Sequence, residues 1–126
     1  MAERSVENPQ VKSASSLVIT GSFVHDWTTW ADGDDTPSVS GGYGFKTANT
    51  SLTTITAFDD PPASGGQEIK ILINDGFTRI AHGAGIKLQD AGGMDGYFGT
   101  AAPGDTMRFS YDGVSAWWED TRSVNS

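Results

Sequence analysis

Residues 67–82 read QEIKILINDGFTRIAH and contain the clearest strand pattern in the chain. Isoleucine occupies every second position from 69 to 73, which is typical of a strand with one buried face. Ile80 continues the alternation after Asp75-Gly76, a dipeptide typical of tight hairpin turns. The sequence therefore predicts a β-hairpin here. Leu72 lies on the polar side of the pattern, which indicates that the second face is partly covered by another sheet or by a neighbouring subunit.

Length and composition predict one all-β domain. The chain has 126 residues, 16 of them glycine, and it lacks long runs of helix-forming residues at helical spacing. We expect a compact antiparallel β-sandwich or jelly-roll-like domain over residues 16–126. Residues 1–15 are polar and show no periodicity, so we expect them to form an amino-terminal arm.

Other segments repeat the strand and turn signals. Met107, Phe109 and Tyr111 alternate with polar residues before Asp112-Gly113, which predicts a second hairpin that returns through residues 114–119. The long segment 89–103 is expected to be a functional excursion or to pack on a neighbour. Further strands are predicted over residues 16–24, 52–58 and 86–88.

The apolar content is small for a chain with such regular strands. Leu, Ile, Val and Phe together fall just under the roughly 20% below which chains tend to be disordered. A closed oligomer resolves this conflict, because protomers can share one core through their aromatic residues.

Charge and targeting signals exclude several classes of protein. A net charge of −8 without a cluster of Lys or Arg in the sequence argues against nucleic-acid binding. No cysteine is present, so a disulfide scaffold and a thiolate metal site are excluded. No signal peptide and no apolar stretch long enough to span a membrane is found, so we expect synthesis in the cytoplasm and no membrane partner.

Aromatic residues in the predicted loops are the candidate contact sites. Trp27, Trp30, Tyr97 and Phe98 are candidates to stack on sugar faces, and aromatic packing at an oligomer seam is the alternative. The acidic turn 32–35 offers carboxylates to a hard cation, although it lacks a complete calcium-loop spacing. A solvated acidic turn is the favoured interpretation, and no metal or cofactor is predicted.

Catalysis is not predicted, because no motif joins a base to a nucleophile or to a metal. The candidate residues are His25, His82, Asp26, Asp59 and Asp60. His25 and Asp26 are sequence neighbours that point to opposite faces of a strand, and His82 continues the buried side of Ile80. A glycosidase with paired carboxylates is the enzymatic alternative.

The order of motifs resembles a small β-module of bacteriophage virion proteins. This module is found at the tips of tail fibres and tailspikes, and in head fibres and capsid decoration proteins. The resemblance covers residues 36–124. The segments that carry it are Thr54-Ile55-Thr56, Gly66-Gln67-Glu68-Ile69, 73–78, Ile80-Ala81-His82, Ile86-Lys87-Leu88, Gly104-Asp105-Thr106, 109–113, Trp118-Glu119 and Arg122-Ser123.

The resemblance implies a homotrimeric virion component. Because only a short arm precedes the module, we expect a capsid decoration, cement or head-fibre protein that is bound to partners such as the major capsid protein. The arm, with Val6, Pro9 and Val11, is expected to carry the attachment. The alternative is a receptor-binding tip of a tail fibre or tailspike that recognises host surface glycans.

Overall fold

The structure is a computed structural model that describes residues 24–89, 95–98 and 104–124, with only the backbone of 95–98. Within these residues the chain forms nine strands and no helix, which confirms the all-β prediction. The strands are β1 (Trp27–Thr29), β2 (Gly44–Lys46), β3 (Thr53–Ile55), β4 (Glu68–Leu72), β5 (Thr78–Ala81), β6 (Ile86–Lys87), β7 (Asp95–Phe98), β8 (Thr106–Tyr111) and β9 (Trp117–Ser123).

Six strands form a mixed sheet in the order β1-β2-β4-β8-β9-β6. β1 with β2, β2 with β4, and β6 with β9 are parallel pairs, whereas β4 with β8 and β8 with β9 are antiparallel. The antiparallel, jelly-roll-like pairing predicted from the sequence is therefore wrong for three of these five pairs. The prediction followed turn motifs, which report only pairings between neighbouring segments.

The second sheet has three strands in the order β3-β5-β7. β3 and β5 are parallel, and β5 and β7 are antiparallel. β7 lies in the segment 89–103, which the sequence predicts to be a functional excursion or to pack on a neighbour. Part of that segment is the third strand of this sheet.

The hairpin predicted over residues 67–82 does not form. β4 pairs with β2 and β8 in the large sheet, and β5 pairs with β3 and β7 in the small one. A primed two-residue turn requires positive φ at its central residues, and Gly76 is absent from the glycines that have it. The chain therefore crosses from one sheet to the other at Asn74 to Phe77.

Asp75 fixes this crossing through its side chain. Its carboxylate accepts hydrogen bonds from the main-chain N–H of Phe77 at 2.7 Å, from the N–H of Asn49 at 2.9 Å and from the hydroxyl of Thr78 at 3.0 Å. Partial burial alone would raise the pKa of Asp75, but these bonds and the hydroxyl of Thr47 outweigh it and lower the pKa. The carboxylate thus holds the crossing to the segment after β2.

Buried polar side chains complete the same network. The amide of Asn49 donates to the Thr78 hydroxyl at 2.8 Å, and its carbonyl accepts from the Gly33 N–H at 2.8 Å. The hydroxyl of Thr47 accepts from the Asn74 N–H at 2.9 Å. Thr47, Asn49 and Thr78 are all buried, so each bond also avoids the cost of an unpaired polar group.

The second predicted hairpin is confirmed. β8 and β9 pair antiparallel from Thr106↔Ser123 to Tyr111↔Trp117, with an irregularity between Arg108 and Phe109. The connection is longer than a two-residue turn, and Gly113 within it has a φ of +85° that favours glycine.

One hydrophobic cluster joins the two sheets. Ile69, Ile71, Met107 and Phe109 come from the inner face of the large sheet, and Ile80 comes from the small sheet. Aromatic rings fill the space between them, with Phe58 in edge contact with both Phe109 and Trp117. The other buried members are Trp30, Val39, Phe45, Ile55, Ile73, Ile86 and Leu88.

The remaining sequence predictions have mixed outcomes. The strand predicted at 52–58 is present as the shorter β3, because Phe58 turns into the core and Asp59 forms an isolated bridge with Ser38. The strand predicted at 86–88 is present as β6. The arm 1–15 and all but the last residue of the strand predicted at 16–24 lie outside the described residues.

We expect Asp75→Ala to lower the free energy of unfolding by about 1 to 2 kcal/mol, because several donors lose a charged acceptor. Urea denaturation followed by circular dichroism measures the difference. The matched control is Asp59→Ala, because the Asp59 side chain is exposed. Equal unfolding midpoints for the two variants would contradict the role given to Asp75.

Candidate functional site

The outward face of the six-stranded sheet gathers basic and aromatic side chains. We call it the basic face and define it by Trp27, Lys46, Lys70, Lys87, Arg108 and Trp118. Five of them neighbour a buried strand position, such as Phe45 beside Lys46 or Ile71 beside Lys70. Trp27 is assigned by register, because it pairs with Gly44 while the next residue pairs with the inward-facing Phe45. Because successive side chains of a strand alternate between faces, the six share one surface.

Strand register brings these residues into rows. Trp27 pairs with Gly44, Gly44 pairs with Lys70, and Lys70 pairs with Arg108. Two residues away along the strands, Ser110 pairs with Trp118, and Trp118 pairs with Lys87. The rows place Trp27 near one edge of the sheet and Trp118 near the other.

An aromatic cluster forms the Trp27 end of the basic face. The His25 ring contacts Trp27 and Tyr43 edge-on, with centroids 5.0 and 4.8 Å apart, and Lys46 Nζ lies 5.9 Å from the Trp27 ring centroid. The cluster needs glycine at position 44, because a Cβ there would lie 2.7 Å from His25 Nδ1 and 3.0 Å from Trp27 Cε3. Trp27 remains 36% exposed.

Arg108 lies in the middle of the basic face. Its Nη2 donates to the Tyr43 hydroxyl at 2.8 Å and lies 4.0 Å from Glu68 Oε1. The Tyr43 contact, followed by the charges of Glu68 and Asp120, raises the pKa of Arg108 above its ordinary value despite some desolvation. The guanidinium is held by these contacts while about half of its side chain stays exposed.

Trp118 forms the other end and is 50% exposed. Its indole N–H donates to Asp112 Oδ2 at 3.1 Å, which fixes the ring orientation. The other oxygen of Asp112 accepts main-chain N–H groups of Val114 and Ser115, each at 2.8 Å. Trp118 is therefore an exposed aromatic surface tied to an ordered loop.

Asp112 is kept ionised by these donors. The N–H groups of Ser115 and Val114, then the Trp118 indole and the Ala116 N–H, hold the pKa of this carboxyl well below its ordinary value. The same carboxylate thus orders the β8–β9 loop and one end of the basic face.

Charge on the basic face opposes the charge of the whole chain. Four basic side chains lie there, accompanied by the carboxylates of Glu68 and Asp120 and, at the Trp118 end, of Asp112. The Asp120 carboxylate accepts a hydrogen bond from the Ser110 hydroxyl. The whole chain has a net charge of −8, so the excess of cations on this face is local.

The structure separates the residues predicted to contact sugars. Trp27 lies on the basic face, but Trp30 is 7% exposed and stacks on Phe45 at a centroid distance of 5.1 Å. The Trp30 indole also donates to the Ser38 carbonyl at 3.0 Å, so Trp30 is a core residue. Tyr97 and Phe98 lie in β7, where only the backbone is described. Of the attachment residues, Val6, Pro9 and Val11 lie outside the described residues.

The carboxylates of Asp32 and Asp34, in the acidic turn 32–35, accept hydrogen bonds from neighbouring loop residues. Asp32 accepts from the N–H and the hydroxyl of Thr50 at 2.8 and 2.6 Å, and Asp34 accepts from the Thr36 N–H at 3.0 Å. The Thr50 hydroxyl and N–H lower the pKa of Asp32. Across the part of the chain that the structure describes, no group of three His, Cys, Asp or Glu is arranged to hold a metal ion.

The catalytic candidates are dispersed. His25 belongs to the aromatic cluster, whereas His82 is half-buried and accepts the Leu88 N–H on Nδ1 at 3.0 Å. Asp26, Asp59 and Asp60 are all exposed. Among the described hydrogen bonds of these five residues, none joins a possible catalytic base to a possible nucleophile.

Asp60 lines an open groove between two loops. Its φ of +60° is unusual for a residue other than glycine. The side-chain amide of Gln67, which also lines the groove, donates to the main-chain carbonyls of Val39 and Gly42 at 2.9 Å and so links this part of the lining to the loop 39–42. The groove has a volume of about 670 Å³ and is lined by Ser40, Gly41, Gly42, Asp60, Pro61, Pro62, Ala63, Gly66 and Gln67.

Sequence reasoning missed most of the basic face. Lys70, Arg108 and Trp118 are far apart in the sequence, so no basic cluster is visible there. Each of these residues alternates with buried neighbours in its strand, and this alternation is the sequence signal that could have placed them on the outward side of the sheet. The strand order that places them side by side depends on long-range pairing.

No protein-family model matches this chain, and no curated protein or solved structure gives a significant match. Across residues 24–89, 95–98 and 104–124, no helix is long and apolar enough to cross a membrane.

We expect Asp112→Asn to reduce the acid sensitivity of the fold. The folded-state pKa of Asp112 is depressed, so its stabilising contribution is complete above the unfolded value of about 4 and is lost as pH falls below that value. Unfolding midpoints measured in urea at neutral and at acid pH give the difference for each variant. The control is Asp59→Asn, which should keep the full acid dependence of the native chain.

Proposed function

We propose that this chain is a homotrimeric structural protein of a bacteriophage virion, of the capsid decoration, cement or head-fibre type. The observation that carries the proposal is an exposed apolar pair on the outer face of the small sheet. Leu52 is 57% exposed and Phe77 is 44% exposed. Such side chains favour burial against another protein surface.

The geometry of this pair supports a shared seam. The Thr53 N–H donates to the Phe77 carbonyl at 2.9 Å, and Thr53 pairs with Thr78. Leu52 and Phe77 therefore lie side by side at the start of two parallel strands. The buried residues Thr53 and Thr78 point inward, so the pair points away from the protomer core.

The virion assignment and the threefold symmetry are supported by the resemblance of residues 36–124 to phage virion modules. The proposed partners are two further copies of the chain and a capsid protein such as the major capsid protein. The arm 1–15 would make the second of these contacts, since an extended polar segment orders readily on a neighbouring surface.

We expect the native chain to elute as a trimer in size-exclusion chromatography with light scattering. The double variant Leu52→Ser, Phe77→Ser should shift the population towards monomer, because it removes apolar area from the seam. Val114→Ser is the matched control, since Val114 is also exposed but lies in the β8–β9 loop. A native monomer, or a double variant that stays trimeric, would contradict the seam.

A second function, the receptor-binding tip, is favoured by one specific observation. Trp27 presents an exposed ring beside His25, Tyr43 and Lys46. Aromatic rings next to hydrogen-bonding groups suit sugar faces. Trp30 is unsuitable for testing this function, because its substitution would disturb the core.

Deletion of residues 2–12 and the substitution Trp27→Ala separate the two functions. For a structural role, the deletion variant should fold and form the native oligomer but fail to join particles, while Trp27→Ala should join normally. Sedimentation of purified particles mixed with each variant measures this. Normal particle association of the deletion variant, with loss of host-cell binding by Trp27→Ala, would establish the receptor role instead.

A further inference from the structure

We propose that the basic face binds an acidic polysaccharide whose charge comes from sugar carboxylates, with the glycan running across the strands between Trp27 and Trp118. This inference deepens the receptor-binding alternative and rests on it for the source of the glycan. The binding chemistry itself depends only on the residues of the face.

The two exposed tryptophans define the ends of the site. β1 and β9 are separated by β2, β4 and β8 in the large sheet, so four strand spacings give a distance of roughly 19 Å. A single sugar cannot contact both rings over this distance, whereas a chain of several units can. Both rings are held by their neighbours, which lowers the ordering cost of binding.

The side chains between the rings determine the charge of the ligand. Lys70 and Arg108 are paired neighbours in the register, Lys46 lies on the adjacent strand β2, and Lys87 lies on β6 just beyond Trp118. These four cations favour an anionic ligand on a chain that is otherwise acidic. The Arg108 guanidinium suits a carboxylate, since its planar donors match the two oxygens.

The acidic residues on the face distinguish a glycan from a nucleic acid. Glu68 lies beside Arg108, and the Asp120 charge acts on the same guanidinium. Sugar hydroxyls donate hydrogen bonds to carboxylates, so a glycan with spaced charges accommodates both acids. A nucleic acid would bring a phosphate with every nucleotide, and those phosphates would be repelled by the acids and by the net charge of −8.

Isothermal titration calorimetry of the full chain tests the proposal, with an octamer that alternates glucuronate and N-acetylglucosamine and so carries a carboxylate on every second sugar. Maltooctaose serves as the neutral probe, and single-stranded oligothymidylate serves as the nucleic-acid probe. We expect the glucuronate-containing octamer to bind more tightly than either, and its affinity to fall as the salt concentration rises. No binding of the octamer at low salt, equal binding of maltooctaose, or tighter binding of oligothymidylate would each overturn the proposal.

Variants test the named residues. Trp118→Ala and Arg108→Gln should each lower the affinity for the octamer about tenfold, as expected for truncating a Trp or Arg contact that carries much of the binding energy. Trp118→Phe should retain most of the affinity because it keeps a ring. Thr56→Ala, at an exposed position after β3, should leave the affinity unchanged. If Trp118→Ala and Arg108→Gln keep native affinity and native circular dichroism spectra, the site is not on this face.

Light scattering on the same samples separates this proposal from the structural one. A native trimer that does not bind the octamer overturns the glycan site and leaves the seam intact. A monomer that binds the octamer overturns the seam and supports the glycan site.

Discussion

The carboxylate of Asp75 is the constraint on which the two-sheet arrangement depends. It accepts hydrogen bonds from Asn49, Phe77 and Thr78, and so joins the end of β4, the segment after β2 and the start of β5. Without the carboxylate at position 75, the hydrogen-bond donors around the crossing would have to bond to water instead. β5 would then be held less firmly in the small sheet. The separation of β4 from β5 leaves β4 free to pair on both edges, with β2 and β8. The basic face exists because of those two pairings.

The sequence predicted the positions and inward sides of most described strands, but among their pairings it predicted correctly only that of β8 with β9. The alternation of apolar and polar residues identified Ile69, Ile71 and Phe109 as inward-facing, because a strand that is covered on one side has an apolar residue at every second position. The Asp75-Gly76 dipeptide misled the topology. Asp-Gly suits a tight hairpin, but the same aspartate can cap a wider crossing when buried donors lie close to it. Only Asp112-Gly113 joins adjacent strands, β8 and β9, and there the sequence prediction was correct.

The candidate site was harder to predict than the fold class. Trp27 and Trp30 look equivalent in the sequence, yet one ring lies on the sheet surface and the other stacks inside the core on Phe45. Their difference depends on where β1 ends: Trp27 lies in the strand, and Trp30 follows it. Lys70 and Arg108 gained meaning only when the pairing of β4 with β8 placed them side by side. The local sequence pattern predicts which side of its strand each residue occupies. Predicting a binding surface also requires the order of the strands in the sheet.

The mixed pairing also sets the order in which the domain can assemble. Among the described strand pairs, β8 with β9 is the one joined by a short loop, while the others link segments separated by longer stretches of chain. Closing those longer loops costs entropy before any contact compensates for it, which slows folding. The β8–β9 hairpin is also the last described part of the chain to leave the ribosome. β4 can pair with β2 earlier, but its other edge stays unpaired until β8 emerges. Until the hairpin completes the large sheet, the isoleucines of β4 lack part of their cover.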